Sequence, residues 1–166
     1  GFITGLNAAL KECQEYLFFM QNDVILYPNC LENLMATNPG PGEILQPVFY
    51  TNDGSIDNAG MSFIWPGYGI GKRNRYWSNP KPLRTNFQYI QAAGIVTTIA
   101  FLVHKKFITE VGPFDTQFAP AYYEDIDWAI RSKKLGAFHQ VITNAKAIHG
   151  SNKSFSKEYK KAEISR

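Results

Sequence analysis

The sequence holds only two cysteines in 166 residues, Cys13 and Cys30. That number and spacing make neither a disulfide framework nor a metal-binding set, so both read as buried thiols in a reducing compartment. No stretch is long and apolar enough for a transmembrane helix, and no signal-peptide pattern is present. Charge of one sign is scarce. The 17 Lys and Arg against 14 Asp and Glu leave a formal net charge of +3, a weak pull toward anionic partners such as phosphates. With 45% apolar and 19% charged residues, the composition is that of a globular chain and excludes disorder. There is no internal repeat. The one glycine-rich segment, Gly67-Tyr68-Gly69-Ile70-Gly71-Lys72, has no Ser or Thr after the lysine and no helix to follow, so it is not a phosphate loop and reads as a mobile loop.

What the sequence does have is aromatic residues, at 14%. Most of the twelve Phe are expected in the core, while some Tyr and Trp suit a sugar or base pocket. Lys72, Arg73, Arg75, Lys81 and Arg84 crowd together with Tyr76 and Trp77. Two readings stand for that cluster: a solvated charged loop, or a loop contacting a diphosphate or an anionic acceptor. It lacks the context of a nucleic-acid module, so no nucleic-acid partner is expected.

The periodicity predicts an α/β fold. Ile3, Leu6, Leu10 and Cys13 recur at helical spacing. A helix as first element predicts that a β-α half precedes it. Tyr16–Met20 is a continuous apolar run, short enough for a buried strand of a parallel sheet. Pro28 suits the first turn of a helix carrying Leu31, Leu34 and Met35. Glu43–Tyr50 is strand-like despite Pro47, hence an edge or bulged strand. Asn52-Asp53-Gly54 signals a turn. Ile90–Val103 reads as a long central strand, Glu124–Leu135 as an amphipathic helix with Gly136 as its terminating glycine, and Val141–Ile148 as a last short strand.

Acidic groups stand at the edges of these apolar runs. Gln21-Asn22-Asp23 would lie at the carboxyl edge of its strand, where open α/β sheets bind ligands. Asp23 is either a turn residue or an oxygen ligand for a hard cation. Glu124, Asp125 and Asp127 open a helix. Stabilising the helix dipole explains one of them well and all three less well. His149 ends a strand before Gly150-Ser151-Asn152 and is either structural or a ligand. His104 and His139 are isolated and read as structural or surface residues.

In order along the chain, these segments resemble the inverting family 2 glycosyltransferases of GT-A fold, notably their rhamnosyltransferase-like branch. Asn7 and Ala8 resemble the small-residue segment of the helix before the metal-motif strand. Leu17–Val24 resembles that strand with its D-x-D-like motif, and Val111-Gly112-Pro113-Phe114-Asp115 resembles V-G-G-F-D. Tyr123-Glu124-Asp125-Ile126-Asp127 with Arg131 resembles the E-D-x-D…R helix, and His149–Ser154 the histidine-containing loop after the last strand.

The resemblance implies a GT-A-like, mainly parallel central sheet flanked by helices, with residues 1–166 forming one partial catalytic domain. It implies a nucleotide-sugar donor and a saccharide or lipid-linked acceptor, with inversion. Asp23 and His149 would hold Mn2+ or Mg2+. Asp125 would be the general base, with Glu124 beside it, and Asn22, Asp127, Trp128 and Arg131 would serve substrate binding; Glu124 and Asp127 alternatively anchor the helix. The implied setting is polysaccharide biosynthesis in the cytoplasm, either free or associated with the cytoplasmic face of the membrane. Two departures stand out: Gln21 replaces the first acidic residue of D-x-D, and Thr97-Thr98 replaces a small Gly-Ala pair. Two other classes stay open, a non-catalytic binding fragment of the same fold and a metal-dependent phosphoesterase.

Overall fold

The computed structural model describes residues 2–12, 15–62, 72–73, 90–92, 94–120 and 123–150. The glycine-rich segment, most of the cationic cluster, Cys13 and the chain after Gly150 lie outside the described residues.

Helix α1 (Phe2–Glu12) leads into strand β1 (Tyr16–Met20), a turn, and strand β2 (Val24–Leu26). Helix α2 (Cys30–Met35) and strand β3 (Glu43–Tyr50) follow, then the short strands β4 (Ile56–Asn58), β5 (Met61–Ser62), β6 (Lys72–Arg73) and β7 (Ile90–Ala92). Strand β8 (Ala100–His104) runs directly into α3 (Lys105–Val111). A 3-10 turn at Thr116–Phe118, helix α4 (Glu124–Lys134) and the long strand β9 (Phe138–His149) complete the order.

The α/β class expected from the sequence is what the structure has. The main sheet runs β1-β8-β3-β9-β2, with β4 on β3 and β7 on β9. The sheet is mixed, however, and not mainly parallel. Only β3 and β9 pair in parallel among the described strands; the other neighbours are antiparallel. Composition misleads here for a physical reason. An apolar run marks a strand covered on both faces, as parallel strands usually are, but an antiparallel strand between two helical layers carries the same run. Because β8 alone reverses between β1 and β3, strands β1, β3 and β9 still point the same way. Their carboxyl ends therefore share one edge.

Two of the core clusters lie on opposite faces of the sheet. Alternate side chains of β8 divide between them: Phe101 and Val103 face α1, α3 and α4, and Leu102 faces α2. Ile44 and Leu45 of β3 divide in the same way. Of the α2 residues expected to face inward, Leu34 is buried with Cys30, whereas Leu31 and Met35 are 41% and 38% exposed. Burial pushes the Cys30 thiol up to about 11.

Pro47 does not place β3 at an edge. The strand is central, and its ladder with β9 skips from Pro47↔Ile142 to Val48↔Lys146. The residue without an N–H thus sits where the register shifts, which is the bulged alternative. The Asn33 amide reaches the Asn144 carbonyl at 2.9 Å, in the skipped segment.

The stretch read as one strand over Ile90–Val103 is two strands, with a non-strand segment between them. Side chains replace the sheet ladder there. Val96 N–H donates to His139 Nδ1 at 3.0 Å and Thr97 N–H to Gln46 Oε1 at 2.8 Å, all within the core.

His139 is thus structural, and its geometry fixes its tautomer. Nδ1 accepts, so Nε2 carries the proton and donates to Ser132 Oγ at 2.8 Å, which in turn donates to the Ala129 carbonyl. Burial, and then the charge of Lys133, hold His139 down to about 3. The unfolded chain takes up this proton near the ordinary histidine pKa of about 6.5, the folded chain only near 3. Stability is therefore complete above that ordinary value and declines as pH falls toward the folded one, by up to about 1.4 kcal/mol per pH unit. Urea unfolding across this range should show the decline in the wild type and a flatter profile in His139→Gln, which keeps an acceptor and a donor without the titration. Equal slopes in the two proteins would remove His139 as the cause.

Candidate functional site

The shared carboxyl edge brings together residues far apart in sequence. Asp23 lies in the turn after β1, and His149 is the last residue of β9. Antiparallel pairing of β2 with β9 sets Val24 opposite His149, and Gly150 N–H donates to the Asp23 carbonyl at 2.8 Å. A Cβ at position 150 would stand 3.2 Å from that carbonyl oxygen, so glycine permits the close approach. As a result, His149 Nε2 is 3.7 Å from Asp23 Oδ2.

The other ring nitrogen is taken. His149 Nδ1 is 2.6 Å from Oδ2 of Asp57, in the middle of β4. The ring also meets Phe49 edge-on, with centroids 6.4 Å apart. Asp57 was not singled out in the sequence. It sits 92 positions from His149, and only the pairing of β4 with β3 and β3 with β9 joins them.

This corner fits a cation. Asp23 Oδ1 is buried without a hydrogen-bond partner. The 2.6 Å contact with Asp57 leaves Nε2 as the ring nitrogen facing the Asp23 carboxylate, and a neutral ring with its proton on Nδ1 would turn a lone pair toward it. Two electron-rich groups so placed repel unless a positive charge lies between them. Among the described residues, no three His, Cys, Asp or Glu side chains form a complete metal-binding group. Among the described residues, Asp23 and His149 could donate to such an ion, with substrate oxygens or water at further positions.

A second line of contacts leads toward α4. Gln21, at the first position of the D-x-D-like motif, fastens to the segment before β8: its N–H reaches the Ile99 carbonyl at 2.9 Å and its amide the Thr98 carbonyl at 3.2 Å. Thr98 Oγ1 donates to buried Glu124 Oε1 at 3.0 Å. Tyr123, with φ of 70°, turns the chain into the helix. Asp125 follows, half-buried, with the Ile126 N–H on Oδ1 at 2.9 Å. Burial, and then the neighbouring Glu124, raise its carboxyl to about 6. Asn22 is exposed in the β1–β2 turn.

The remaining expected site residues hold α4 in place. Arg131 Nε reaches Asp127 Oδ2 at 2.9 Å, and its terminal nitrogens donate to the carbonyls of Val111 and Pro113 at 2.8 and 2.9 Å. Trp128 is buried, stacks on Phe114 with centroids 5.4 Å apart, and donates from Nε1 to the Gly112 carbonyl at 3.1 Å. Asn7 serves the same segment from α1, exchanging two hydrogen bonds with the Phe114 backbone at 2.8 and 2.9 Å. The V-G-x-F-D stretch is thereby clamped from two helices.

Among solved structures, that of GalNAc-T7 with UDP, GalNAc and Mn2+ aligns over 90% of this chain with a TM-score of 0.65 and 12% identity. The fold is GT-A-like. The chain spans 30% of the length of that glycosyltransferase. No protein-family model and no curated protein matches the sequence. Among the described residues, no helix is long and apolar enough to cross a membrane.

Proposed function

We propose that this GT-A-like chain is part of a catalytic domain that transfers a sugar from a nucleotide-diphosphate donor to a hydroxyl of a saccharide or lipid-linked acceptor, with inversion. The observation that carries the reading is the 3.7 Å approach of His149 Nε2 to the Asp23 carboxylate, beside an unsatisfied Asp23 oxygen, at the edge where β1 and β9 end. When bound there, a divalent ion, Mn2+ or Mg2+, would offset the charge that grows on the departing diphosphate. Asp23 and His149 would hold it, and Asn22, exposed next to Asp23, would contact the donor.

Asp125 would accept the proton of the acceptor hydroxyl. A carboxylate raised toward neutrality takes a proton more readily than an ordinary aspartate, yet it is mostly ionised at pH 7. A base for the acceptor suits a single displacement from the face opposite the leaving group, which is why we favour inversion. Glu124 would supply the nearby charge that keeps Asp125 basic. Asp127, Trp128 and Arg131 would hold the helix that presents it. Polysaccharide assembly on the cytoplasmic side of a membrane would be the setting.

Nucleoside diphosphate release from a panel of sugar donors and acceptors tests this reading in the full-length protein. Transfer should need a divalent ion. Asp23→Ala should weaken ion-dependent nucleotide binding at least as much as loss of a supporting residue does, about 10–100-fold. Full turnover in the presence of a chelator, or unchanged turnover in Asp23→Ala, would leave Asp23 a turn residue and remove the reading.

A further inference from the structure

We propose that Asp57 is a positioning residue for His149. Its carboxylate keeps the ring proton on Nδ1, so that Nε2 presents its lone pair beside Asp23. The inference deepens the metal reading above and rests on it for its consequence, but its geometry stands by itself.

A neutral imidazole has one N–H, and two carboxylates compete for it. Asp57 lies 2.6 Å from Nδ1, and Asp23 lies 3.7 Å from Nε2. The first is the distance of a short charge-assisted hydrogen bond, and the second is beyond one. Asp57 therefore holds the proton. The contact is well sheltered: the side chains of His149 and Asp57 are 8% and 7% exposed. Phe49 meets the ring edge-on, with centroids 6.4 Å apart.

Were Asp57 absent, the balance would reverse. The proton would move to Nε2, where Asp23 is the remaining acceptor. That would place an N–H where a cation needs a lone pair. The strand hairpin β3–β4 thus controls a ligand on β9. A metal-bound histidine is usually oriented through its second nitrogen in this way, and losing such a partner typically costs about 10–100-fold in metal affinity.

Two measurements on the full-length protein separate the proposal from the reading beneath it. The first is the ring 15N shifts of His149 in metal-free protein, at about pH 8 where an ordinary imidazole is neutral, assigned with His149→Gln. The proton should sit on Nδ1 in the wild type and move toward Nε2 in Asp57→Ala. In Asp57→Asn, whose amide oxygen still accepts, it should stay on Nδ1. A wild-type proton on Nε2 overturns the proposal whether or not the alanine variant folds; so does a folded Asp57→Ala with the proton still on Nδ1.

The second measurement is Mn2+ affinity, read from the spin-resonance signal of the free ion. It should fall about 10–100-fold in Asp57→Ala and less in Asp57→Asn. Unchanged affinity in a folded Asp57→Ala overturns the positioning role. If wild type binds no Mn2+ while its proton sits on Nδ1, the hold of Asp57 on His149 is supported, and the metal reading is what fails.

Discussion

Asp125→Asn should lower sugar transfer by about 10²–10⁴-fold, the usual cost of removing a general base, while folding and donor binding are retained. The amide keeps the shape of the side chain and the oxygen that accepts the Ile126 N–H, but it takes no proton. The expected pH profile follows from the raised carboxyl. A base works when ionised, so wild-type transfer at saturating donor should rise as pH passes about 6 and then level off. Burial and the Glu124 charge are the causes. The residual activity of Asp125→Asn should lack that rising limb. Near wild-type transfer would move the search for the base to Glu124 or Asp127. Loss of folding would make the acidic cluster a structural feature of the helix start.

What the sequence made legible were local patterns. Helices α1 and α4 declare themselves by the period of their apolar residues and strand β1 by its continuous apolar run, and Gly136, with φ of 86°, ends α4 as expected. Asp23 and His149 were legible for a related reason, since a polar residue at the end of an apolar strand falls at a sheet edge. Strand direction was not legible, because two-sided burial gives the antiparallel β8 the same kind of composition as the parallel-paired β3. The break between β7 and β8 was hidden as well. It depends on Gln46 satisfying the Thr97 amide from 51 positions away and His139 the Val96 amide from 43. Asp57 was hidden most completely. Nothing in Ile56-Asp57-Asn58 distinguishes it from a solvated turn-flanking aspartate until β3 brings it beside His149.

Trp128→Ala should destabilise the protein by about 3–5 kcal/mol, as removal of a large aromatic from a packed core does. A domain of this kind has only about 5–15 kcal/mol in total. The Trp128 ring lies between Phe114 and Phe101, with centroids 5.4 and 5.8 Å away, and alanine would leave both without their neighbour. The Gly112 carbonyl would also lose its indole donor, where Gly112, with φ of 83°, turns the chain out of α3. Urea unfolding measures the loss directly. Trp128→Phe restores most of the ring but not the donor, so it should fall between wild type and alanine. A substrate-contacting tryptophan would behave otherwise: the alanine variant would melt like wild type and bind donor or acceptor poorly. This side chain lies three positions after Asp125 on the same helix, nearly one turn. The two positions still test different things, because Trp128 is buried in the core while Asp125 is only half-buried. A variant that lowers rate without stability at position 125, beside one that lowers stability first at position 128, would assign chemistry to Asp125 and the anchoring of α4 to Trp128.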